Sequence, residues 1–402
     1  MTADEPEPQL QATSESTWGP QGIWEIALIV LLMFFYGGTL TPGINESHYL
    51  TRMKHFWNPT WCAGDLFLDS GESHPVFQST FGWPSQFLSL PQLAWTCRIA
   101  GWTLLAIGWY RFSRRVLRKP GWALLSIALT IVLWDRVHMA GEWVVGGFEA
   151  KVPAYALVFV GLGEYMRNYW GRTLILFGAA TAFHPLVGGW SLVALGFAWL
   201  VDRERPSLKS IAVPLAMAFA ISLLGVIPAL RLDAGIGAEA IAQARRAYVI
   251  RRLGHHLLFW RLAPIFQLRH IALIGAWLWL WRTTAPDATQ NRLQRYVLGF
   301  VLIAAIGVVI ESITHANWIY KSAWMRYYWY RMTDSMVPVG FCMLACRSLH
   351  HKLSTVPMRG KTGLGLILLL VVGSLSLTLI QRKQDRRPPA DQQGRTKHAS
   401  ID

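Results

Sequence analysis

Long apolar runs recur along almost the whole chain, separated by polar segments of very different lengths. Many approach the roughly 20 residues that a helix needs to cross a hydrocarbon layer of about 30 Å. The runs predict apolar helices near 23–40, 93–110, 121–134, 153–166, 173–183, 190–201, 210–230, 270–282, 295–311, 335–347 and 363–380. We therefore predict an all-α, polytopic integral membrane protein with about 10–12 transmembrane helices.

Composition and charge agree with this class. Of 402 residues, 53% are hydrophobic and only 15% are charged, whereas soluble domains carry about 25% charged residues. The net charge of +15 would suggest nucleic acid in a soluble chain, but beside membrane spans basic residues hold loops in the cytoplasm and attract anionic lipid. We expect a multi-pass protein of the cell inner membrane, with membrane lipid and no nucleic acid among its partners.

The chain divides into one membrane domain and two tails. We predict a cytoplasmic tail at 1–22, a transmembrane domain at 23–380 and a disordered basic tail at 381–402. The first tail is acidic and lacks the basic start of a secretory signal, so the first apolar run is expected to remain as an anchor. Proline and paired glycines in FHPLVGGW indicate a broken or re-entrant helix. The four cysteines show no CxxC pair and no zinc-site spacing.

Arginine and lysine predict the orientation. With the N-terminus inside, short and densely basic loops such as RFSRRVLRK and MRNYWGR are cytoplasmic. Four long segments then share the outer face and hold most of the acids between the tails: 41–92, 135–152, 231–269 and 311–334. The working face is therefore expected to be extracytoplasmic. Seven arginines in 231–269 oppose the tendency of basic residues to stay in the cytoplasm, so we expect a function that requires them.

The first outer segment holds the main candidate for catalysis. Its acids, histidines and tryptophans are too many for a mere connection and predict a folded cap at the membrane surface. Glu46 lies just past the first run, where its carboxylate could take a proton from an acceptor hydroxyl; the alternative is a solvated glutamate after the Pro42-Gly43 turn. His48 and Tyr49 could orient this carboxylate or bind substrate.

Further acids could serve as bases or ligands. Asp65 and Asp69 are the next candidates for the base, and with Glu72 and His74 they could hold a divalent cation. This spacing is unspecific, so we assign no metal ligand and no cofactor, leaving a divalent metal open. In the second outer segment, further possible ligands are better interpreted as a charged loop: Asp135, His138, Glu142 and Glu149.

The third outer segment predicts contact with phosphate. If RRAYVIRRLGHHLLFW is helical, Arg245, Arg252 and His256 lie near one face and could grip a lipid phosphate. The alternative is generic contact with lipid headgroups. His255 joins them as a candidate contact, although adjacent histidines on a helix point apart and make a poor metal pair.

Arginines and aromatic residues alternate in KSAWMRYYWYRMTD. Arg326 and Arg331 could bind phosphate while the rings pack against sugar. The alternative is an aromatic belt at the lipid headgroups. His184, which precedes Pro185, is either functional at membrane depth or satisfies the end of a broken helix.

The layout also resembles a known superfamily. The chain resembles the GT-C polytopic glycosyltransferases in four features of its layout. They are an acid in NESHYL just past the first span, a long first outer segment, a second acidic outer segment and short cytoplasmic turns. GGFEAK, FHPLVGGW, RRLGHHL and RYYWYRMTD also resemble segments of uncharacterised bacterial multi-span membrane proteins. The GT-C resemblance implies a polyprenyl-phosphate sugar donor and places the catalytic base or metal ligand at Glu46.

Three functions from different classes follow as hypotheses. The first is an extracytoplasmic glycosyltransferase with a polyprenyl-phosphate donor. The second is a transporter or flippase for a lipid-linked or anionic solute, which should show repeated halves and charges deep in its spans. No repeat is visible, and Arg98 and Glu164 are the clearest charges within apolar runs, so an enzyme is favoured. The third is a non-catalytic component of envelope assembly, and nothing in the chain names its protein partners.

Overall fold

A computed structural model describes residues 19–43, 45–285 and 287–355, which are all-helical and contain no strand. The helices are α1 (Pro20–Gly37), α2 (Glu46–Trp57), α3 (Pro75–Phe81), α4 (Leu90–Val116), α5 (Trp122–Arg136), α6 (Lys151–Met166), α7 (Trp170–Phe183), α8 (Pro185–Val201), α9 (Leu208–Arg231), α10 (Ala238–Arg246), α11 (Gly254–Leu257), α12 (Pro264–Thr283), α13 (Ala288–Ile313), α14 (Trp318–Met325) and α15 (Arg331–Thr355). Short 3-10 turns lie at Trp83–Gln86 and Phe259–Arg261, and Ala247–Arg252 is π-helical.

The predicted apolar helices are present wherever the structure describes the chain. Their ends follow local signals: Pro20 opens α1, and Ser89 with Gln92 forms a capping box at the start of α4. Asp287 accepts a hydrogen bond from the backbone N–H of Gln290 and so caps α13. The helix predicted at 363–380 and the tail at 381–402 lie outside the described residues, as does most of the tail at 1–22.

Three of the described helices are long and apolar enough to cross a membrane, namely α1, α9 and α13. Helices α5 to α8 have 15, 16, 14 and 17 residues, so at 1.5 Å per residue each is shorter than a hydrocarbon layer of about 30 Å. Helices α4, α12 and α15 are longer but include arginines and other polar side chains. A membrane protein is supported, whereas the larger number of spans stays a prediction.

Small residues let the helices approach one another closely. Helix α4 packs along α6, and α7 packs along α9. A Cβ atom at Gly108 of α4 would lie 2.7 Å from the carbonyl oxygen of Ala156 in α6, and one at Gly178 of α7 would lie 2.6 Å from that of Ala218 in α9. Lipid gives no hydrophobic drive for helices to associate, so such close backbone packing is a main source of their adhesion.

The four predicted outer segments contact one another, as expected for segments that share a face. The backbone N–H of Phe148 in the second segment donates to Glu46 in the first. His256 in the third hydrogen-bonds the Ala140 carbonyl in the second, and Arg326 in the fourth donates to Asp233 in the third. These contacts unite the segments into one layer, whose side of the membrane stays a prediction.

The native cysteines allow that side to be tested. Cys62 in the first outer segment is exposed, while Cys97, Cys342 and Cys346 are buried. An impermeant maleimide added to intact cells is expected to label Cys62. A Cys62→Ser, Arg118→Cys variant, with its thiol at the exposed end of α4, should react only after permeabilisation. If the variant but not the native protein is labelled in intact cells, the predicted orientation is reversed.

Candidate functional site

Glu46 is buried in an ion pair with Arg98 rather than solvated in a loop. The Arg98 Nε atom lies 2.7 Å from Glu46 Oε1, and Nη2 lies 2.5 Å from Oε2. The carboxylate also accepts from the backbone N–H groups of Gly43 at 2.7 Å and Phe148 at 2.6 Å. Glu46 is 1% exposed, and a Cβ atom at Gly147 would lie 2.6 Å from its carboxyl carbon. The paired glycines of GGFEAK therefore allow this approach.

These partners favour a structural role for Glu46. Both carboxylate oxygens are held by a charged donor and a backbone donor, and Arg98 also donates to the Thr39 carbonyl at 2.6 Å. A general base needs an oxygen directed at the substrate hydroxyl, and here both face Arg98 and the backbone. The catalytic role of Glu46 expected from the GT-C resemblance stays a prediction, but the geometry favours a reactive group elsewhere in the outer layer.

The other candidates of the first segment do not converge with Glu46. His48 is exposed and its ring contacts Phe67. Asp65 accepts from the backbone N–H groups of Phe67 and Leu68, so it closes its own turn. Asp69 accepts from the Gly64 N–H at 2.8 Å and lies 3.1 Å from His55. No group of three or more metal-ligating side chains occurs in residues 19–43, 45–285 and 287–355.

The arginine stripe predicted for the third segment does not form one helical face. The α-helix ends at Arg246, a π-helical segment follows at Ala247–Arg252, and a separate α-helical turn begins at Gly254. The register of 3.6 residues per turn is therefore lost. Arg252 and His255 are exposed, while the His256 Nδ1 atom bonds the Ala140 carbonyl at 2.9 Å. The rings of His255 and His256 lie 4.1 Å apart, closer than expected for side chains that point apart.

Arg245 and Arg326 share one acidic partner. Their guanidinium groups lie 2.6 Å and 3.2 Å from the same Asp233 oxygen, and these hydrogen bonds lower the pKa of Asp233, with Arg245 contributing most. Arg245 pairs with Asp233 within the third outer segment, and Arg326 ties the fourth segment to the same carboxylate. Asp233 therefore occupies guanidinium groups that the sequence had suggested for phosphate.

A second set of charges is buried where the second and fourth segments meet. Lys151 Nζ lies 3.2 Å from Glu142 Oε1 and 3.6 Å from Glu149 Oε2, and Arg331 Nη1 lies 3.3 Å from Glu142 Oε2. We name these four residues the outer charge cluster. Direct charge-assisted hydrogen bonds are usually about 2.7–2.9 Å, so the two cations are held loosely.

Aromatic residues surround the outer charge cluster. Lys151 lies 3.7 Å from the ring centre of Trp143, and Arg331 lies 4.4 Å from that of Tyr328. Tyr328 in turn shares a short hydroxyl hydrogen bond with Tyr248. Tyr49, from α2, interacts electrostatically with Glu149 and Arg331, and burial raises its pKa, which keeps its phenol protonated. Tyr49 is thus a sequence candidate of the first segment that the fold brings to this cluster.

The backbone around the cluster is fixed from two sides. Asp334, in the first turn of α15, accepts from the backbone N–H groups of Met139, Ala140 and Glu142 at 2.7, 2.8 and 3.1 Å. The Glu46 carboxylate holds Phe148, the residue before Glu149, in the same way. Glu142 and Glu149 are therefore rigidly placed, as a preorganised binding or reactive site requires.

Three buried polar atoms at the cluster have no hydrogen-bond partner in the described part of the chain. They are Glu149 Oε1, Arg331 Nε and His74 Nδ1. Leaving a buried donor or acceptor unpaired costs about 1–3 kcal/mol, so native structures usually supply water or a ligand there. Burial raises the pKa of Glu149, against the opposing charge of Lys151, which is the direction suited to a proton acceptor near neutral pH.

His74, which carries one of these atoms, stacks on His184. The ring of His74 lies 5.4 Å from that of His184 and 6.0 Å from that of Tyr49. His74 bonds the Phe183 carbonyl, and burial lowers its pKa, which favours the neutral ring. His184 Nδ1 accepts from the Val187 N–H and caps α8, which confirms the interpretation of His184 as satisfying a broken helix end.

The importance of the second outer segment was not predicted from the sequence. Glu142 and Glu149 lie in a loop, as expected, but they are 5% and 4% exposed, so this is a buried loop with paired charges rather than a plain charged loop. The glycine pair and apolar neighbours in WVVGGFEAK were the available signal, because acids in such surroundings become buried and need partners. Lys151 went unnoticed because its two acidic partners are recognisable only from the fold.

Comparison with protein-family models, curated proteins and solved structures returned no match. The site therefore has to be interpreted from its own geometry.

The role of the Glu46–Arg98 pair can be measured as stability. We expect Arg98→Met to lower the free energy of unfolding by about 3–5 kcal/mol, because it leaves Glu46 buried and unpaired. Arg172→Met is the control: the Arg172 side chain is 67% exposed, and such a surface charge contributes about 1 kcal/mol or less. Unfolding in detergent micelles gives both values, and equal losses would contradict a dominant structural pair.

Proposed function

We propose that this protein is a multi-span membrane glycosyltransferase that uses a polyprenyl-phosphate-linked sugar donor at its extracytoplasmic face. The observation that carries the proposal is the buried Glu149 carboxylate, whose Oε1 atom has no hydrogen-bond partner in the described residues and whose Oε2 atom lies 3.6 Å from Lys151 Nζ. Arg331 acts on the same carboxylate electrostatically, and the Asn45 side chain donates to it. A buried base next to positive charge is what transfer from a phosphate leaving group needs. The GT-C resemblance of the layout agrees with this chemistry.

In the proposed reaction, Glu149 takes the proton of an acceptor hydroxyl. The acceptor oxygen forms a bond to the anomeric carbon of the sugar, while the bond from that carbon to the phosphate oxygen breaks. Polyprenyl phosphate leaves with the bonding electrons, and its charge is stabilised by Arg331 and Lys151. Trp143 and Tyr328 offer ring faces to the sugar, and Tyr49 donates a hydrogen bond from its neutral hydroxyl.

The membrane arrangement belongs to the same proposal. We infer about 10–12 spans in the inner membrane, in which the short helices α5 to α8 pack between the long apolar helices α1, α9 and α13. The break between α7 and α8 at His184–Pro185 is half-buried and covered in part by His74, and irregular backbone within a membrane needs such cover. A transporter for a lipid-linked solute is the alternative, because broken helices also line transport sites.

Substitution of Glu149 tests the proposal. Glu149→Gln keeps the shape of the side chain but removes the base, which is typically worth about 10² to 10⁴ in rate. Release of polyprenyl phosphate from a panel of radiolabelled polyprenyl-phosphate hexoses, assayed in membranes, should fall accordingly. Since burial raises the pKa of Glu149, wild-type activity should decline on acidification at a pH above the ordinary carboxyl range of about 4.3.

Two comparisons make this test specific. Arg331→Gln should weaken binding of polyprenyl phosphate itself, whereas Glu149→Gln should leave that binding nearly intact. The Glu46→Gln variant, with its activity normalised to the amount of folded protein, decides between the two carboxylates. If Glu46→Gln keeps its activity and Glu149→Gln loses it, the proposal is supported. If Glu149→Gln keeps its activity and Glu46→Gln loses it, the base is Glu46. Binding of polyprenyl phosphate with no release from any donor would favour transport.

A further inference from the structure

A basic cluster lies at the opposite end of the bundle from the outer layer, in segments that the sequence predicts to be cytoplasmic. The end of α4 carries Arg111 and Arg115, the turn after α6 carries Arg167, and the first turn of α7 carries Arg172. Glu164, in the last turn of α6, lies among all four. Four guanidinium groups thus share one carboxylate, and most of their positive charge stays uncompensated by it.

The distances show that Glu164 does not saturate these arginines. Its oxygens lie 3.4 Å from Arg111, 3.7 Å from Arg167 and 3.4 Å from Arg172, longer than the roughly 2.7–2.9 Å of a direct charge-assisted hydrogen bond. The three arginine side chains are 38%, 35% and 67% exposed. Burial and the charges of Arg167 and Arg111 lower the pKa of Arg115, so an added anion would relieve repulsion.

The turn presents the arginines in a fixed arrangement. Asn168 adopts a left-handed conformation with φ of 64°, and its side chain accepts from the Trp170 indole at 2.8 Å. Arg167 and Arg172 both lie over the Tyr169 ring, at 4.5 Å and 4.9 Å from its centre. Tyr169 is 43% exposed, as expected for an aromatic residue at the level of lipid headgroups.

We propose that Arg111, Arg115, Arg167 and Arg172 bind the phosphate headgroup of an anionic phospholipid. Arginine forks suit phosphate oxygens, and basic pockets between membrane helices on the cytoplasmic side favour lipids with more than one negative charge. A membrane lipid is preferred over free phosphate because the cluster stands at the ends of apolar helices, beside an exposed ring suited to the interface. This site is independent of the outer charge cluster.

The test uses the full-length protein in detergent, with cardiolipin as the probe and native mass spectrometry to count bound lipid. Arg167→Gln combined with Arg172→Gln should weaken cardiolipin binding about 30-fold, since each arginine near a lipid headgroup contributes about 1 kcal/mol. The control removes two exposed arginines elsewhere, Arg203→Gln with Arg282→Gln, and should bind as the native protein does. Equal weakening in both variants, or in neither, would overturn the site.

Further arms identify the ligand and guard against misfolding. Phosphatidylcholine should bind weakly to all variants, and millimolar inorganic phosphate should not displace cardiolipin. Displacement by phosphate would overturn the lipid assignment in favour of a soluble anion. Glu164→Gln removes the competing carboxylate and should tighten cardiolipin binding several-fold, even if the double arginine variant folds poorly. Unchanged or weaker binding there would contradict the proposal.

Discussion

A buried carboxylate and guanidinium stabilise a fold only if further hydrogen bonds offset the loss of water. The Glu46–Arg98 pair meets this condition, because Thr39, Gly43 and Phe148 supply a carbonyl and two N–H groups. The pair therefore joins the chain after α1, the start of α2, the first third of α4 and the chain before α6. The outer layer depends on it, since the backbone that carries Glu149 and Lys151 is fixed by the same carboxylate.

Other acids of the outer layer hold segments together in this way. Asp334 binds the backbone of the second segment, and Asp233 joins Arg245 to Arg326. Each is surrounded by donors at ordinary hydrogen-bond distances. Glu149 differs because its Oε1 atom is unpaired in the described residues, although Asn45 donates to the carboxylate and Lys151 lies beside it. The contrast between saturated and unsaturated carboxylates, rather than their positions along the chain, singles out the proposed base.

The helices were predictable from sequence because burial in lipid or protein leaves an apolar run whatever its partners are. The roles of individual charges were not, because they depend on contacts between residues far apart in the chain. The buried partner of Glu46 could not be inferred because Arg98 is 52 positions away. The burial of Glu149 could not be inferred because Tyr49 and Arg331 come from α2 and α15. Arg245 and Arg252 were expected on one face, but the π-helical segment changed the register.

The most direct test of the central claim is an experimental structure of the protein in a lipid nanodisc with polyprenyl phosphate bound. The account predicts phosphate density between Lys151 and Arg331, with Glu149 free on the side where a sugar would lie. Phosphate bound instead at Arg245 and Arg252, with the outer charge cluster unchanged, would contradict it.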